Sequence, residues 1–181
     1  PYLTFLPEYE EKQIEIFGRM YERGYIYKGL KPVYWCPSCE TALAAAEIEY
    51  SDEQSDSIFV KFKINDNISS IFPEAKQSET FIVIWTTTPW TIPANMAITL
   101  HPDFKYSLVK VNQEYLIMAS KLVEEVMKKV GIESYQVLAE KEGMHFEKIK
   151  AKHPILDRES LIILGNHVSL EEGTGCIHTA P

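Results

Sequence analysis

Phe81-Ile82-Val83-Ile84-Trp85-Thr86-Thr87-Thr88-Pro89-Trp90-Thr91-Ile92-Pro93-Ala94-Asn95 carries an apolar run straight into a turn crowded with hydroxyls. The run from Phe81 to Ile84 has the composition of a buried strand. Pro89 and Pro93 each fix their own φ and bias the residue before them away from the α region, so the turn is stiff. Between Trp85 and Thr91 stand four threonines and two tryptophans. A loop stiffened in this way presents backbone N–H groups and Thr Oγ atoms to a ligand at small entropic cost. From its residues alone it reads equally as a binding loop or as a tight β-corner.

Outward from this turn the chain reads as short strands. Ile58, Val60, Phe62 and Ile64 alternate with Phe59, Lys61 and Lys63, the period of two expected of a strand. Residues 66–79 are polar and Ser-rich, a surface loop. Tyr106 to Val111 and Tyr115 to Ala119 make a hairpin across the three-residue loop Asn112-Gln113-Glu114. A helix follows, with Ser120 as N-cap, Leu122, Val123, Val126, Met127 and Val130 as its buried face, and Gly131 as its stop. Further strands are expected at Tyr135 to Leu138, His145 to Ala151, Leu161 to Leu164 and Cys176 to Thr179. Near the N-terminus, Glu8 to Arg23 reads as a helix with the apolar stripe Ile14, Phe17, Met20 and Tyr21, stopped by Gly24. Tyr25-Ile26-Tyr27 and Val33-Tyr34-Trp35 are short strand candidates around a turn at Gly29. Many short strands with one or two helices give no βαβ pattern. The expectation is an α+β, mainly β fold: a compact β-barrel with peripheral helices over residues 46–181, preceded by a leading segment, residues 1–45, of helix, short hairpin and Cys-x-x-Cys turn.

Composition sets outer bounds. A length of 181 residues suits one domain with an appended segment, and 45% hydrophobic and 12% aromatic residues describe an ordinary globular protein. No apolar run approaches the roughly 20 residues that cross a bilayer, and no secretory signal is visible. The chain begins Pro1-Tyr2-Leu3-Thr4 and stops after Pro181, so both ends read as cuts through a longer protein. Three cysteines outside any dense framework suit a reducing, cytoplasmic setting, with a monomer as the default state. A net charge of −8 argues against a free-standing nucleic-acid binder. One local exception is Lys148, Lys150 and Lys152 with His153, read as one strand face that is either simply solvated or in contact with a nucleic-acid phosphate.

The threonine-rich turn resembles the corresponding peptide in the editing domain of isoleucyl-tRNA synthetases, a domain inserted into the synthetase's catalytic fold. Gly173-Thr174-Gly175-Cys176-Ile177-His178-Thr179-Ala180-Pro181 resembles the same domain's Gly-Thr-Gly-x-x-His-x-Ala-Pro segment. Lys31 to Glu40, which includes Cys36-Pro37-Ser38-Cys39, and Ala42 to Tyr50 resemble the approach to that insertion. The matches run in order over nearly the whole chain. Valyl and leucyl relatives carry a Thr-Thr-Arg-Pro type of turn, so Thr88 and Trp90 favour the isoleucyl branch.

The resemblance implies hydrolysis of the ester that joins a wrong amino acid, valine, to the terminal adenosine of tRNA(Ile). Isoleucine and valine differ by one methylene, worth only ~1–3 kcal/mol in a pocket. Isoleucyl-tRNA synthetases are themselves the standing example of that limit and of its remedy by a second sieve. By the same resemblance Thr86, Thr87 and Thr88 stabilise the oxyanion and orient water, tasks suited to hydroxyls and N–H groups. Trp90, Thr91, Asn95 and His178 fall on substrate-binding positions, with Thr91 and His178 as the size gate. His101, His145, His153 and His167 have no motif context and are expected to be surface or packing residues. A Thr nucleophile with His178 as its base is the competing mechanism. A non-catalytic tRNA-end docking or zinc-ribbon-containing structural module is the competing function. In the family the segment runs on into Gly-His-Gly and an aspartate that anchors the substrate's α-amino group, beyond Pro181. Cys36 and Cys39 supply half of a tetrahedral zinc site at most, and some relatives complete such a site from outside this domain. The resemblance places ATP and Mg in a separate catalytic domain of the parent synthetase, and no P-loop signature occurs in this sequence. The partners it implies are the tRNA 3′ end and the rest of that synthetase, with no membrane.

Overall fold

The computed structural model describes residues 2–75 and 79–181. The chain divides into two compact units, Pro1–Asp52 and Glu53–Pro181, a break somewhat later than the one expected after residue 45.

In the first unit, helix α1 spans Pro7–Glu22, with Pro7 in the first turn, Glu8 and Glu10 near the N-terminus and Arg19 in the last turn. That charge order complements the helix dipole. Gly24 follows the Arg23 cap at φ 75°, the expected stop. The apolar stripe does not become a core: Ile14, Phe17, Met20 and Tyr21 are all exposed. The hairpin also lies further along than expected. Strand β1, Trp35–Cys36, pairs with β2, Thr41–Ala42, while Tyr25 to Tyr27 form no strand. The turn chemistry explains the shift. Cys39 N–H donates to Cys36 Sγ at 3.3 Å and Glu40 takes a left-handed φ of 52°, so the reversal forms over the Cys-x-x-Cys rather than at Gly29.

The second unit is built on one mixed sheet. Its strands are β3 (Ile58–Ile64), β4 (Thr80–Thr86), β5 (Ala97–Leu100), β6 (Lys105–Val111), β7 (Glu114–Ala119), β8 (Gln136–Glu142), β9 (Lys150–Lys152), β10 (Glu159–Leu164) and β11 (Ile177–Thr179). They lie in the order β11-β5-β10-β9-β3-β4-β7-β6-β8. β4 with β7 and β5 with β10 are parallel, and the other pairings are antiparallel. The mainly β expectation holds, but the barrel does not close. Strand β11 comes near β4, yet β4 already bonds β3 on one edge and β7 on the other. β7 covers only Thr80–Ile82 of that second edge, and β11 bonds β5 and not the uncovered stretch Val83–Thr86, so the sheet ends in open edges at β11 and β8.

The alternation in β3 holds over its second half, where Phe62 and Ile64 are buried while Lys61 and Lys63 face solvent, but not at its start, where Ile58 is exposed and Phe59 and Val60 are both half-buried. Phe62, Ile82, Ile84, Ile98, Leu108, Ile117 and Ile162 are fully buried, each worth about 1.5–3 kcal/mol in transfer terms. The loop expected over 66–79 is a loop through residue 75, yet Ile68 and Phe72 drop from it into the core, Phe72 beside Phe146 at 5.6 Å, and Glu79 stands in a 3₁₀ turn. Residues 76–78 of that expectation lie outside the described residues. The β6–β7 hairpin turns on two residues, Asn112 and Gln113, because Val111 pairs directly with Glu114 and Asn112 adopts φ 53°.

Three local expectations fail for visible reasons. Ser120 does not cap a helix. Its hydroxyl accepts from Ser107 Oγ at 2.8 Å, a 3₁₀ turn runs over Ser120–Leu122, and α2 begins at Val123 and ends at Lys129. The strand expected from His145 breaks up, because Phe146 buries itself from a 3₁₀ turn and Lys148 takes φ 69°. The lysine face fails with it. Lys148 precedes β9, Lys150 pairs with Glu159 at 2.8 Å, and His153 is buried, a packing residue. Strand β5, which the sequence reading did not pick out, sits with all four residues buried between β10 and β11. No helix among the described residues is long and apolar enough to cross a membrane.

Candidate functional site

Thr86 ends β4, and the chain then folds into a 3₁₀ helix, Pro89–Ala94. Pro89 stands in its first turn, where a missing N–H costs nothing. The turn is held by its own hydroxyls. Thr88 N–H donates to Thr86 Oγ1 at 3.1 Å, and Thr91 Oγ1 donates to the Thr88 carbonyl at 2.7 Å. Thr86 and Thr88 Oγ1 lie 3.2 Å apart, and Thr88 and Thr91 Oγ1 3.4 Å.

Strand β11 brings the second motif to this turn. Its pairing with β5 sets His178 opposite Ile98, which puts the imidazole Nε2 2.9 Å from Thr91 Oγ1. Asn95, at the end of the 3₁₀ helix, is fully buried behind the ring and holds Nδ1 at 2.7 Å. The Asn95 amide also donates to the Ala97 carbonyl at 2.8 Å and accepts from Ser160 Oγ. Burial lowers the His178 pKa, and the nearby His153 lowers it further. His153 itself bonds the Ile92 carbonyl through Nε2 at 2.8 Å, and its Nδ1 accepts from the N–H groups of Ile155 and Leu156.

The Gly-Thr-Gly segment needs its glycines for space as well as for conformation. Gly173 and Gly175 have φ of 75° and 69°. A Cβ on Gly173 would meet the Trp85 ring at 3.0 Å, and one on Gly175 would lie 2.4 Å from Ala119 Cβ. The segment is tied down at both glycine neighbours. Ala119 N–H donates to the Thr174 carbonyl at 2.8 Å, and the buried Tyr106 hydroxyl donates to the Gly175 carbonyl at 2.8 Å. Burial pushes the Tyr106 phenol and the Cys176 thiol well above their ordinary pKa ranges.

Together these pieces enclose a cleft of about 540 Å³. Thr86, Thr87, Thr88, Thr91 and His178 all line it, residues from two motifs some ninety positions apart. Two sequence-nominated residues do not line it. Trp90 points outward, 71% exposed, and Asn95 stands behind His178. Sequence reasoning passed over Trp85, Ser169, Glu171 and Glu172 on the cleft wall, and Ser160 behind Asn95. Ser160 is an internal strand position whose role comes only from tertiary contact, so no sequence signal marked it. Arrayed hydroxyls, a ring N–H and a tight glycine turn make a donor-rich cleft fit for an ester carbonyl and its developing negative charge.

Cys36 and Cys39 lie in the first unit, on the β1–β2 turn. The Cys39 N–H lowers the Cys36 thiol pKa, helped by the Cys39 thiol and the Ser38 backbone. Among the described residues no group of three or more His, Cys, Asp or Glu side chains is placed to hold a metal.

The family described as tRNA synthetases class I (I, L, M and V) matches residues 1–153. Isoleucine–tRNA ligase of Caldanaerobacter subterraneus subsp. tengcongensis is 59% identical over the whole chain, and that of Petrotoga mobilis 51%. The chain spans about a fifth of the length of these relatives, 20% and 19%. Among solved structures, GlLeuRS-CP1 superposes with a TM-score of 0.57 at 14% identity, over 68% of this chain and 52% of that one. The P. knowlesi cytosolic leucyl-tRNA synthetase editing domain gives 0.56 at 9% identity, over 67% and 55%. At such identities these two speak for the fold: a mostly β editing-domain architecture with a few helices. On the family match over residues 1–153 and the ligase identity over the whole chain, the chain belongs to the class I tRNA synthetases of the isoleucyl, leucyl, methionyl and valyl group.

Proposed function

We propose that this chain is the hydrolytic editing module of an isoleucyl-tRNA synthetase, and that it clears valine from tRNA(Ile) after transfer. The observation that carries the reading is the hydrogen-bonded set Thr86, Thr88, Thr91 and His178 along one cleft wall. In this reading the ester carbonyl sits against the threonine turn. Water adds to the carbonyl carbon, the oxygen that becomes negative is held by N–H and hydroxyl donors of the turn, and the ribose oxygen leaves with a proton. The vicinal ribose hydroxyl of the substrate helps to orient the water. Thr91 and His178 meet the amino-acid side chain and leave room for valine but not for one more methylene. The hydrogen-bond directions support water attack over a threonine nucleophile, because the Thr91 proton is already directed at the Thr88 carbonyl.

The partners of this reading are the charged tRNA 3′ end and the rest of a monomeric, cytoplasmic synthetase, whose separate catalytic domain uses ATP and Mg. Cys36 and Cys39 would supply two of the four thiolate or imidazole ligands of a zinc site completed from elsewhere in that protein. The test replaces Thr86, Thr87 and Thr88 together with Ala in the synthetase that contains this chain. Valyl-tRNA(Ile) deacylation is expected to fall by at least 10²–10³, the usual cost of one lost donor of this kind, with isoleucine activation unchanged. Undiminished deacylation by a folded variant would overturn the reading and leave a docking or structural module in its place.

A further inference from the structure

The hydrogen bonds around His178 can run in one direction only, because a backbone carbonyl stands at each end. At the buried end Asn95 Nδ2 lies 2.8 Å from the Ala97 carbonyl oxygen, which can only accept. The amide therefore presents its NH₂ on that side and its Oδ1 to the Ser160 hydroxyl. The same NH₂ lies 2.7 Å from His178 Nδ1, so Nδ1 accepts and carries no proton. At the open end Thr91 Oγ1 directs its single proton at the Thr88 carbonyl, 2.7 Å away. Thr91 must then accept from His178 Nε2 at 2.9 Å, which puts the ring's proton on Nε2. Turning the Asn95 amide over would set Oδ1 against the Ala97 carbonyl, a contact between two acceptors.

We infer that Asn95, clamped by Ser160 and the Ala97 carbonyl, is a positioning residue that fixes His178 as the neutral Nε2–H tautomer. Its imidazole then serves the cleft as a hydrogen-bond donor and not as a base. Asn95 and Ser160 are both 0% exposed, so neither reaches a ligand directly. Their effect passes through the ring, whose Nε2–H is held pointing at Thr91 on the cleft wall, where an oxygen acceptor of a ligand can share it. A second proton on the ring would have to sit at Nδ1, where Asn95 offers another donor instead of an acceptor. The catalytic meaning of this arrangement rests on the proposed function, but the tautomer belongs to the folded chain.

The test is a long-range ¹H–¹⁵N correlation of the histidine rings in the ¹⁵N-labelled chain at neutral pH. His178 is expected to show a protonated Nε2 and an unprotonated Nδ1. Asn95→Asp, which swaps the NH₂ for an acceptor, is expected to move the proton to Nδ1. A wild-type ring protonated on Nδ1, or a tautomer unmoved in a folded Asn95→Asp chain, would overturn the inference. The wild-type spectrum decides the point even where the aspartate variant does not fold. Deacylation of valyl-tRNA(Ile) by the containing synthetase is read separately. The stated tautomer together with no deacylation would support the inference and remove the proposed function.

Discussion

Gly175→Ala is expected to be among the most destabilising single-methyl additions in this chain. A Cβ there lies 2.4 Å from Ala119 Cβ and 3.3 Å from Leu170 Cδ2. Two carbons rest at about 3.5–4.0 Å, so more than an ångström must open. Ala119 cannot swing aside, because its Cβ is fixed to the backbone of β7 and its N–H donates to the Thr174 carbonyl at 2.8 Å. Separation therefore breaks that bond too. Overpacking of this sort costs about 1–3 kcal/mol, the left-handed φ about 1–2, and the strained hydrogen bond about 1. The sum is roughly 3–6 kcal/mol, and for a domain of this size a Tm lowered by ~10–20 °C. Gly131→Ala is the control, with φ 71° and open space where its Cβ would stand, so it bears the φ cost alone. Thermal unfolding of the two variants side by side isolates the contact. A Gly175→Ala variant no less stable than Gly131→Ala would refute the reasoning, and with it the close approach of the Gly-Thr-Gly segment to β7.

Removing the proposed wall by His178→Ala is expected to let the containing synthetase hydrolyse isoleucyl-tRNA(Ile); rejection as strict as before would show that the ring is not the gate. Acidification is expected to destabilise the second unit through His178. Its folded pKa lies below the ordinary 6.5, so its contribution is intact above that value and is lost as the pH falls through the lowered one. The Tm gap between wild type and His178→Gln should then shrink on going from neutral pH to pH 5, and a gap that widens would contradict the shift. Iodoacetamide is expected to modify Cys36 ahead of Cys39 and to leave the buried Cys176 untouched until the chain unfolds, as peptide mass mapping over time would show. Equal labelling of all three thiols in the folded chain would count against the burial of Cys176.

What could be read in the sequence was whatever local chemistry decides. The strand from Ile58 to Ile64 with its alternation over Lys61 to Ile64, the apolar run of β4 and the stops at Gly24 and Gly131 depend on neighbours in the chain, and each stands as read. What could not be read depends on distant partners. Ser120 has every local mark of an N-cap, yet Ser107 on β6 takes its hydroxyl. Lys148 to His153 alternates on paper, but Phe146 enters the core and Lys148 turns left-handed to allow it. Many short strands suggest a closed barrel, but the end strands β11 and β8 bond only β5 and β6 and leave the sheet open. The cleft shows the same division. The threonines and His178 were nominated from two motifs and do meet, whereas Asn95, nominated for the ligand, stands behind His178, and Ser160 carried no signal at all.

The position of the cleft follows from that same unclosed sheet. Had β11 bonded the uncovered stretch of β4 from Val83 to Thr86, a row of backbone bonds would fill the space between the threonine turn and the Gly-Thr-Gly segment. β11 instead bonds β5 alone, and the cleft opens between the two strands, lined by Trp85 and Thr86 of β4 and by Ile177 and His178 of β11. Its polar groups were not left to find partners of their own: the Ala97 and Thr88 carbonyls, fixed by β5 and by the 3₁₀ turn, dictate the direction of each hydrogen bond between them. Donors oriented in advance need no rearrangement when negative charge develops, which is where such sites gain most over water. An open seam in the sheet thus supplies the volume, and two main-chain oxygens supply the polarity, before any substrate arrives.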